Sequence, residues 1–160
     1  MFSFFGKKED KNIIYAPVSG ECVLLSKVND PTFAEEMIGK GAAIIPSDGK
    51  VYAPCDGTVA LVFDTKHAIS VVSEDGAEVM IHFGLDTVKL KGEPFKTYVE
   101  VGDSVKKGDL ILEADIQMIK DNGCDIVVPV VITNSFDYSD VALVAEKVIS
   151  YGEQFIRLAK

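Results

Sequence analysis

From Ile13 onward the chain breaks into short runs of apolar and β-branched residues, each stopped within a few positions by Gly, Pro, Asn or Asp. GECVLL, GKVYAP, GTVALVF, HAISVV, AEVMIHFG, DTVKL, KTYVEV, GDLILEA and DIVVPVVIT follow one another in this way. Many short strands separated by frequent turn chemistry predict an all-β fold, a sandwich or a barrel. Helical character is confined to Pro31 to Lys40 and roughly Asp115 to Asp121, both short. Ser139 to Ser150 reads either way, because its valines favour strand while VALVAEK could wind as a helix. The length suits one well-buried domain over residues 12–160, preceded by a flexible tail over residues 1–11.

The strand pattern contains an echo of itself. IYAPVSGECVLL at 14–25 matches VYAPCDGTVALV at 51–62, displaced by 37 positions, with Tyr, Ala, Pro, Gly and one Leu in common. Pro and Gly punctuate any β protein, so turn chemistry alone could produce part of this. Five identities in twelve positions favour a repeated β unit, as expected of a fold built from two related halves. VGDSVKKGDL at 101–110 has a similar rhythm.

Charge narrows the function. A net charge of −9 argues against nucleic acid, whose binding needs a basic face. It suits solubility, or a protein partner with a basic or apolar docking surface. Cys22, Cys55 and Cys124 form no CxxC, and an odd, dispersed set fits reduced thiols. With no stretch approaching the ~20 apolar residues of a membrane helix, and no signal peptide, the expectation is a cytoplasmic protein without a membrane span. Phe2, Phe4 and Phe5, followed by Lys7 and Lys8, could touch a membrane surface weakly or simply fray.

Both histidines of the chain, His67 and His82, lie within one eighteen-residue stretch around the turn-like SEDG. Asp75-Gly76 is a strong signal for a two-residue turn, which would set His67 opposite Gly84 and His82 opposite Ile69. The two histidines would then share a face as diagonal neighbours, whereas an odd loop would separate them. Two imidazoles so placed could bind a metal, although zinc wants further ligands and no third histidine exists. They could instead transfer phosphoryl groups. A neutral imidazole nitrogen is a good nucleophile at pH 7, and a second ring can donate a hydrogen bond to the phosphoryl oxygens. Thr65 could orient the second ring, and the Gly84 carbonyl could fix a tautomer. Two ordinary half-exposed strand histidines are the plainer alternative.

TKHAI at 65–69 and IHFGLDTVKLKG at 81–92, with Phe95 after it, resemble the glucose-class enzyme IIA of the bacterial phosphoenolpyruvate:sugar phosphotransferase system. GKGAAIIPSDG (39–49), PCDGTVALVF (54–63), VGDSVKKGDLILEAD (101–115) and VPVVITN (128–134) continue the likeness in order, over roughly residues 13–160. The resemblance implies an antiparallel β-sandwich. It implies a phosphocarrier that takes its phosphoryl group from the histidine-containing phosphocarrier HPr and passes it to a cysteine on the IIB domain of a sugar permease. In that role His82 is the phosphorylated residue, reacting through Nε2. His67 is the supporting imidazole, and Thr65 belongs to the network behind it. Gly84 leaves room for a close partner. Phe33, Met37, Phe63, Met80 and Val88 stand where the family has an apolar docking patch, although core packing would explain them equally. Asp30 and Asp86 match acidic positions that face a basic partner. No cofactor or nucleotide is required, and His67 and His82, as two imidazoles facing one point, could recruit zinc at a partner interface.

Pro31-Thr32 departs from the apolar residues many relatives carry before the Phe, which touches the docking rim and not the chemistry. A chain starting at Met with no permease attached reads as a stand-alone IIA protein, unless it is a domain cut from a larger permease. A zinc hydrolase lacks its third ligand motif, and a biotinyl or lipoyl carrier lacks a lysine at the SEDG tip. Regulatory protein targets would add to the phosphocarrier role without replacing it.

Overall fold

The computed structural model describes residues 12–160; the tail expected over 1–11 lies outside the described residues. The strands are β1 (Ile13–Tyr15), β2 (Gly20–Leu24), β3 (Lys40–Pro46), β4 (Lys50–Tyr52), β5 (Gly57–Val62), β6 (Ala68–Ser73) and β7 (Glu78–His82) in the first half. β8 (Phe95–Thr97), β9 (Ser104–Val105), β10 (Leu110–Ala114), β11 (Val128–Ile132), β12 (Asp140–Leu143), β13 (Val148–Ile149) and β14 (Gln154–Ala159) follow. Two short α-helices interrupt them, α1 (Pro31–Ala34) and α2 (Ile116–Asp121), together with 3-10 turns at Leu25–Lys27, Thr87–Leu90 and Ser135–Asp137. DTVKL, expected as a strand, forms the second of these turns, because Asp86 and Lys91 on either side of it take the left-handed conformation.

An eight-stranded sheet runs β13-β2-β3-β11-β7-β6-β5-β9, and two three-stranded sheets run β1-β14-β12 and β4-β10-β8. Every pairing is antiparallel. Strand alternation decides what each face of the large sheet meets. Ile44, Ile69, Val79, Ile81, Val130 and Ile132 point inward, against Ile14, Val51, Leu112, Phe155 and Ile156 of the small sheets, and form the main core. Ala43, Met80 and Val131 point to the outer face, where Leu25, Val28 and Phe33 cover them in a smaller cluster. This is the antiparallel β-sandwich that the resemblance implies.

The repeat is structural. β1 and β2 of the first copy correspond to β4 and β5 of the second, and the two copies clasp each other reciprocally. The Tyr15 amide donates to the Pro54 carbonyl at 2.9 Å, and the Tyr52 amide to the Pro17 carbonyl at 2.7 Å. Ala16 then exchanges hydrogen bonds with Glu153 and Gly152, as Ala53 does with Asp109 and Gly108. VGDSVKKGDL is therefore the counterpart of the chain around Tyr151, and the symmetric strand order of the large sheet places a pseudo-two-fold axis between β7 and β11.

The halves differ in one connection. Between β5 and β6 the chain turns tightly through residues 63–67, whereas between β2 and β3 residues 25–39 cross the outer face. The helix expected over Pro31 to Lys40 occupies only Pro31–Ala34 of that crossing. Asp30 caps it by accepting from the Thr32 amide, Pro31 opens it, and Glu36 at φ 60° ends it. α2 forms where expected, with Asp115 accepting from the Met118 amide. The ambiguous stretch 139–150 holds two short strands and no helix, because β12 pairs along β14 and β13 along β2, and tertiary pairing overrides local propensity.

Gly20 and Gly57, equivalent in the two copies, lie where backbones approach closely. An added Cβ would stand 2.0 Å from the Ile45 carbonyl oxygen at Gly20 and 2.1 Å from that of Val72 at Gly57. Gly20→Ala and Gly57→Ala are each expected to destabilise the fold by about 1–3 kcal/mol, as overpacking does. Urea denaturation of both variants checks this, and a wild-type midpoint for either would contradict the close approach.

Candidate functional site

His82 is the last residue of β7, and alternation puts it on the outer face with Met80. The β6–β7 hairpin does not use the two-residue turn read from Asp75-Gly76. Its loop spans residues 74–76. The Ser73 amide donates to Ala77 at 2.8 Å, the Gly76 amide to Ser73 at 2.9 Å, and Gly76 takes φ 94°. Asp-Gly serves this longer loop equally well, with the Gly as its left-handed residue. The register is consequently shifted by one: His82 faces Ala68, and Ile69 faces Ile81.

An odd loop ought to send the two histidines to opposite faces, yet the ring centroids lie 4.8 Å apart with planes at 81°. Strand alternation does not govern His67, because β6 begins only at Ala68. Lys66, at φ 59°, turns the chain just before it, and its amide closes the turn on the Phe63 carbonyl at 2.7 Å. His67 gives its carbonyl to the Phe83 amide at 2.7 Å while its ring swings towards His82.

Each ring is held through Nδ1. His82 Nδ1–H donates to the Gly84 carbonyl at 2.8 Å. A carbonyl can only accept, so in the neutral ring Nε2 carries the lone pair. His67 Nδ1 lies 2.6 Å from Thr65 Oγ1, as expected of an orienting hydroxyl. Burial pushes the His67 pKa down to about 4, and the neighbouring His82 adds to the effect. The His82 pKa is also lowered, by burial first, against opposing contributions from the Gly84 hydrogen bond and from Asp30 and Asp86. Both rings are therefore neutral at pH 7. His67 is only 3% exposed, and His82 is half-buried.

The residues matched to a docking patch divide into two groups. Met37 and Val88 are exposed, at 70% and 53%. Phe33 and Met80 are buried in the outer cluster, so for these two the core-packing reading holds. Phe33 still meets His82 edge-on at 4.9 Å, and the half-buried Phe63 meets His67 edge-on at 5.1 Å. Each imidazole thus has an aromatic wall. Asp30 is half-buried as the α1 cap, whereas Asp86 is exposed, at φ 59°. Gly84 is buried at φ 81°. Sequence reasoning missed Thr87, whose fully buried hydroxyl donates to the Phe83 carbonyl at 2.6 Å. A threonine among apolar residues of the same motif was the available signal. Among the described residues no group of three or more His, Cys, Asp or Glu side chains could hold a metal ion, and no helix is long and apolar enough to cross a membrane. The three cysteines are free and buried.

Comparison with known proteins agrees with this arrangement. Residues 12–138 match the family described as phosphoenolpyruvate-dependent sugar phosphotransferase system, EIIA 1. The chain is 52% identical over 132 residues to the β-glucoside-specific EIIBCA component of Dickeya chrysanthemi, covering 82% of this chain and 21% of that protein's length. It is 42% identical over 151 residues to the glucose-specific EIIA component of Oceanobacillus iheyensis, covering 94% of this chain and 92% of the relative. The solved structure of glucose permease IIA from Mycoplasma capricolum superposes with a TM-score of 0.83 at 28% identity, over 98% of both chains. The paired imidazoles thus stand in a domain of known kind: the chain belongs to the glucose-type EIIA family of the phosphoenolpyruvate-dependent sugar phosphotransferase system.

Proposed function

We propose that this protein is a cytoplasmic phosphocarrier that accepts a phosphoryl group on His82 from phospho-HPr and delivers it to a cysteine of a permease IIB domain. The observation that carries this reading is the His82 Nδ1–H bond to the Gly84 carbonyl, which leaves Nε2 as the nucleophilic atom of a half-buried ring. In the first step the Nε2 lone pair attacks phosphorus. The nitrogen–phosphorus bond of the donor breaks, and its electron pair returns to the donor imidazole. In the second step the IIB thiolate displaces Nε2 in the same way. Both steps exchange one covalent partner of phosphorus for another, so the protein's task is alignment and charge stabilisation.

His67 supplies the stabilisation. With the Thr65 hydroxyl donating to its Nδ1, the ring carries its proton on Nε2 and offers it to the phosphoryl oxygens. Thr65 fixes that ring in place. Met37, Val88 and Phe63 provide apolar contact around the histidines, and Asp30 and Asp86 offer carboxylates to a basic partner surface. The fused relative named for its B, C and A components supports a permease partner. The transfer needs no cofactor, and zinc at the two histidines would have to draw further ligands from a docked protein.

Intact-protein mass spectrometry after incubation with phosphoenolpyruvate, enzyme I and HPr tests the proposal. One acid-labile phosphoryl adduct is expected on the wild type and none on His82→Ala. Labelling retained by that variant would move the site elsewhere. His67→Gln should still accept the phosphoryl group but pass it to IIB more slowly, and normal onward transfer would remove the role given to His67.

The pH dependence follows from the direction of the His82 shift. A base whose pKa is lowered stays neutral, and nucleophilic, to lower pH than a free imidazole at about 6.5. Single-turnover acceptance should hold from pH 8 down through 6.5 and decline only below that. A midpoint at or above 6.5 would contradict the burial argument.

A further inference from the structure

We infer that Thr87 is a positioning residue for His82: its buried hydroxyl fixes the backbone that presents the Gly84 carbonyl to Nδ1, and so determines which imidazole nitrogen is left free to react. The consequence for transfer rests on the phosphocarrier reading, whereas the control of the tautomer does not.

Two consecutive peptide units lie between Phe83 and Leu85, and each is held at both ends. In the unit joining Phe83 to Gly84, the carbonyl accepts from Thr87 Oγ1 at 2.6 Å, and the amide donates to the Val127 carbonyl at 2.9 Å. In the next unit, the Gly84 carbonyl accepts from His82 Nδ1 at 2.8 Å, and the Leu85 amide donates to the Asp125 carbonyl at 3.0 Å. Asp125 Oδ1 accepts from the Val127 amide at 2.9 Å, which ties the two backbone acceptors together. Two of these four anchors are backbone carbonyls of fixed identity, and a third is the His82 ring itself. Thr87 supplies the fourth, the one side-chain anchor other than the ring being oriented.

The space is closed as well as bonded. Gly84 takes φ 81°, and a Cβ there would stand 2.6 Å from the Thr87 methyl and 2.8 Å from the Asp125 carbonyl oxygen. The Thr87 methyl therefore packs against the one backbone that can carry this turn, with no solvent exposure. Phe83 also connects the two rings: its carbonyl takes the Thr87 hydroxyl, and its amide holds the His67 carbonyl at 2.7 Å. Removing the hydroxyl releases the Phe83–Gly84 peptide plane, which lies between the unit whose carbonyl orients His82 and the unit whose amide holds the His67 carbonyl. A free imidazole exchanges its proton between the two nitrogens, and the hydrogen bond at Nδ1 selects one form.

The test compares wild type, Thr87→Val and Thr87→Ser, each labelled with ¹⁵N-histidine. Two-bond nitrogen–proton correlation spectra at pH 8 report which nitrogen of His82 holds the proton. Single-turnover acceptance from phospho-HPr is measured on the same samples. Wild type and Thr87→Ser are expected to show the Nδ1–H form alone. Thr87→Val should show mixed tautomers and a loss of acceptance on the order of 10–100-fold, as for other groups that orient a functional histidine. Thr87→Val with pure Nδ1–H overturns the inference, whether its rate is unchanged or lost. Should the valine variant fail to fold, Thr87→Cys, of similar size with a weak donor, makes the same comparison. If wild type itself takes no phosphoryl group, the phosphocarrier reading fails, and the tautomer spectra still decide the role of Thr87.

Discussion

One hydrogen bond, from His82 Nδ1 to the Gly84 carbonyl, sets the terms for the site. An imidazole has two nitrogens of nearly equal basicity, and a transfer site needs the same one free at every encounter. Binding the proton at Nδ1 to a carbonyl that cannot donate settles the choice. That carbonyl can face the ring only because Gly84 adopts a left-handed turn immediately after β7. The turn in turn is docked on residues 125–127, the segment leading into β11 beside it. The sheet thus does more than carry the histidine, since its neighbouring strand holds the group that orients the ring.

Much of the fold was legible because strands declare themselves locally. The Gly and Pro punctuation, the alternation in AEVMIHFG and the repeat of Tyr-Ala-Pro all reflect local steric requirements, and each corresponds to an observed element. Register was less legible. Asp75-Gly76 suits both a two-residue turn and the loop over 74–76, and the difference between them is one residue of pairing. The expectation that His67 and His82 meet was right for a reason other than the one given. A left-handed Lys66 takes His67 off the ladder, and no local rule marks a lysine for that conformation. Burial on the outer face was not legible either. Phe33 and Met80 look like Met37 and Val88 in sequence, and only the path of residues 25–39 decides which are covered.

That path is where the two halves part company. Both halves present the same clasp of Tyr, Pro and Gly backbone groups, and both contribute matching strands to the large sheet. In the first half, the long connection seals the outer face with Leu25, Val28 and Phe33. In the second half, the tight turn over 63–67 leaves the ends of β6 and β7 open, and both histidines are there. A duplicated scaffold with one side elaborated and the other kept short yields stability and an accessible site from one plan. Phe33 reaches from the covered side to touch His82, so the seal of one half forms a wall for the site in the other.

The pairing of the first strand with the last has a consequence for where the two ends of the fold lie. β1 and β14 lie side by side, Ile13 opposite Arg157, in a small sheet on the far side of the core from the histidines. Within the described residues the fold therefore begins at β1 and ends at β14 on the side away from the histidines, and neither end strand covers the two imidazoles. Relatives of the chain include both a separate EIIA component and an EIIBCA component several times its length.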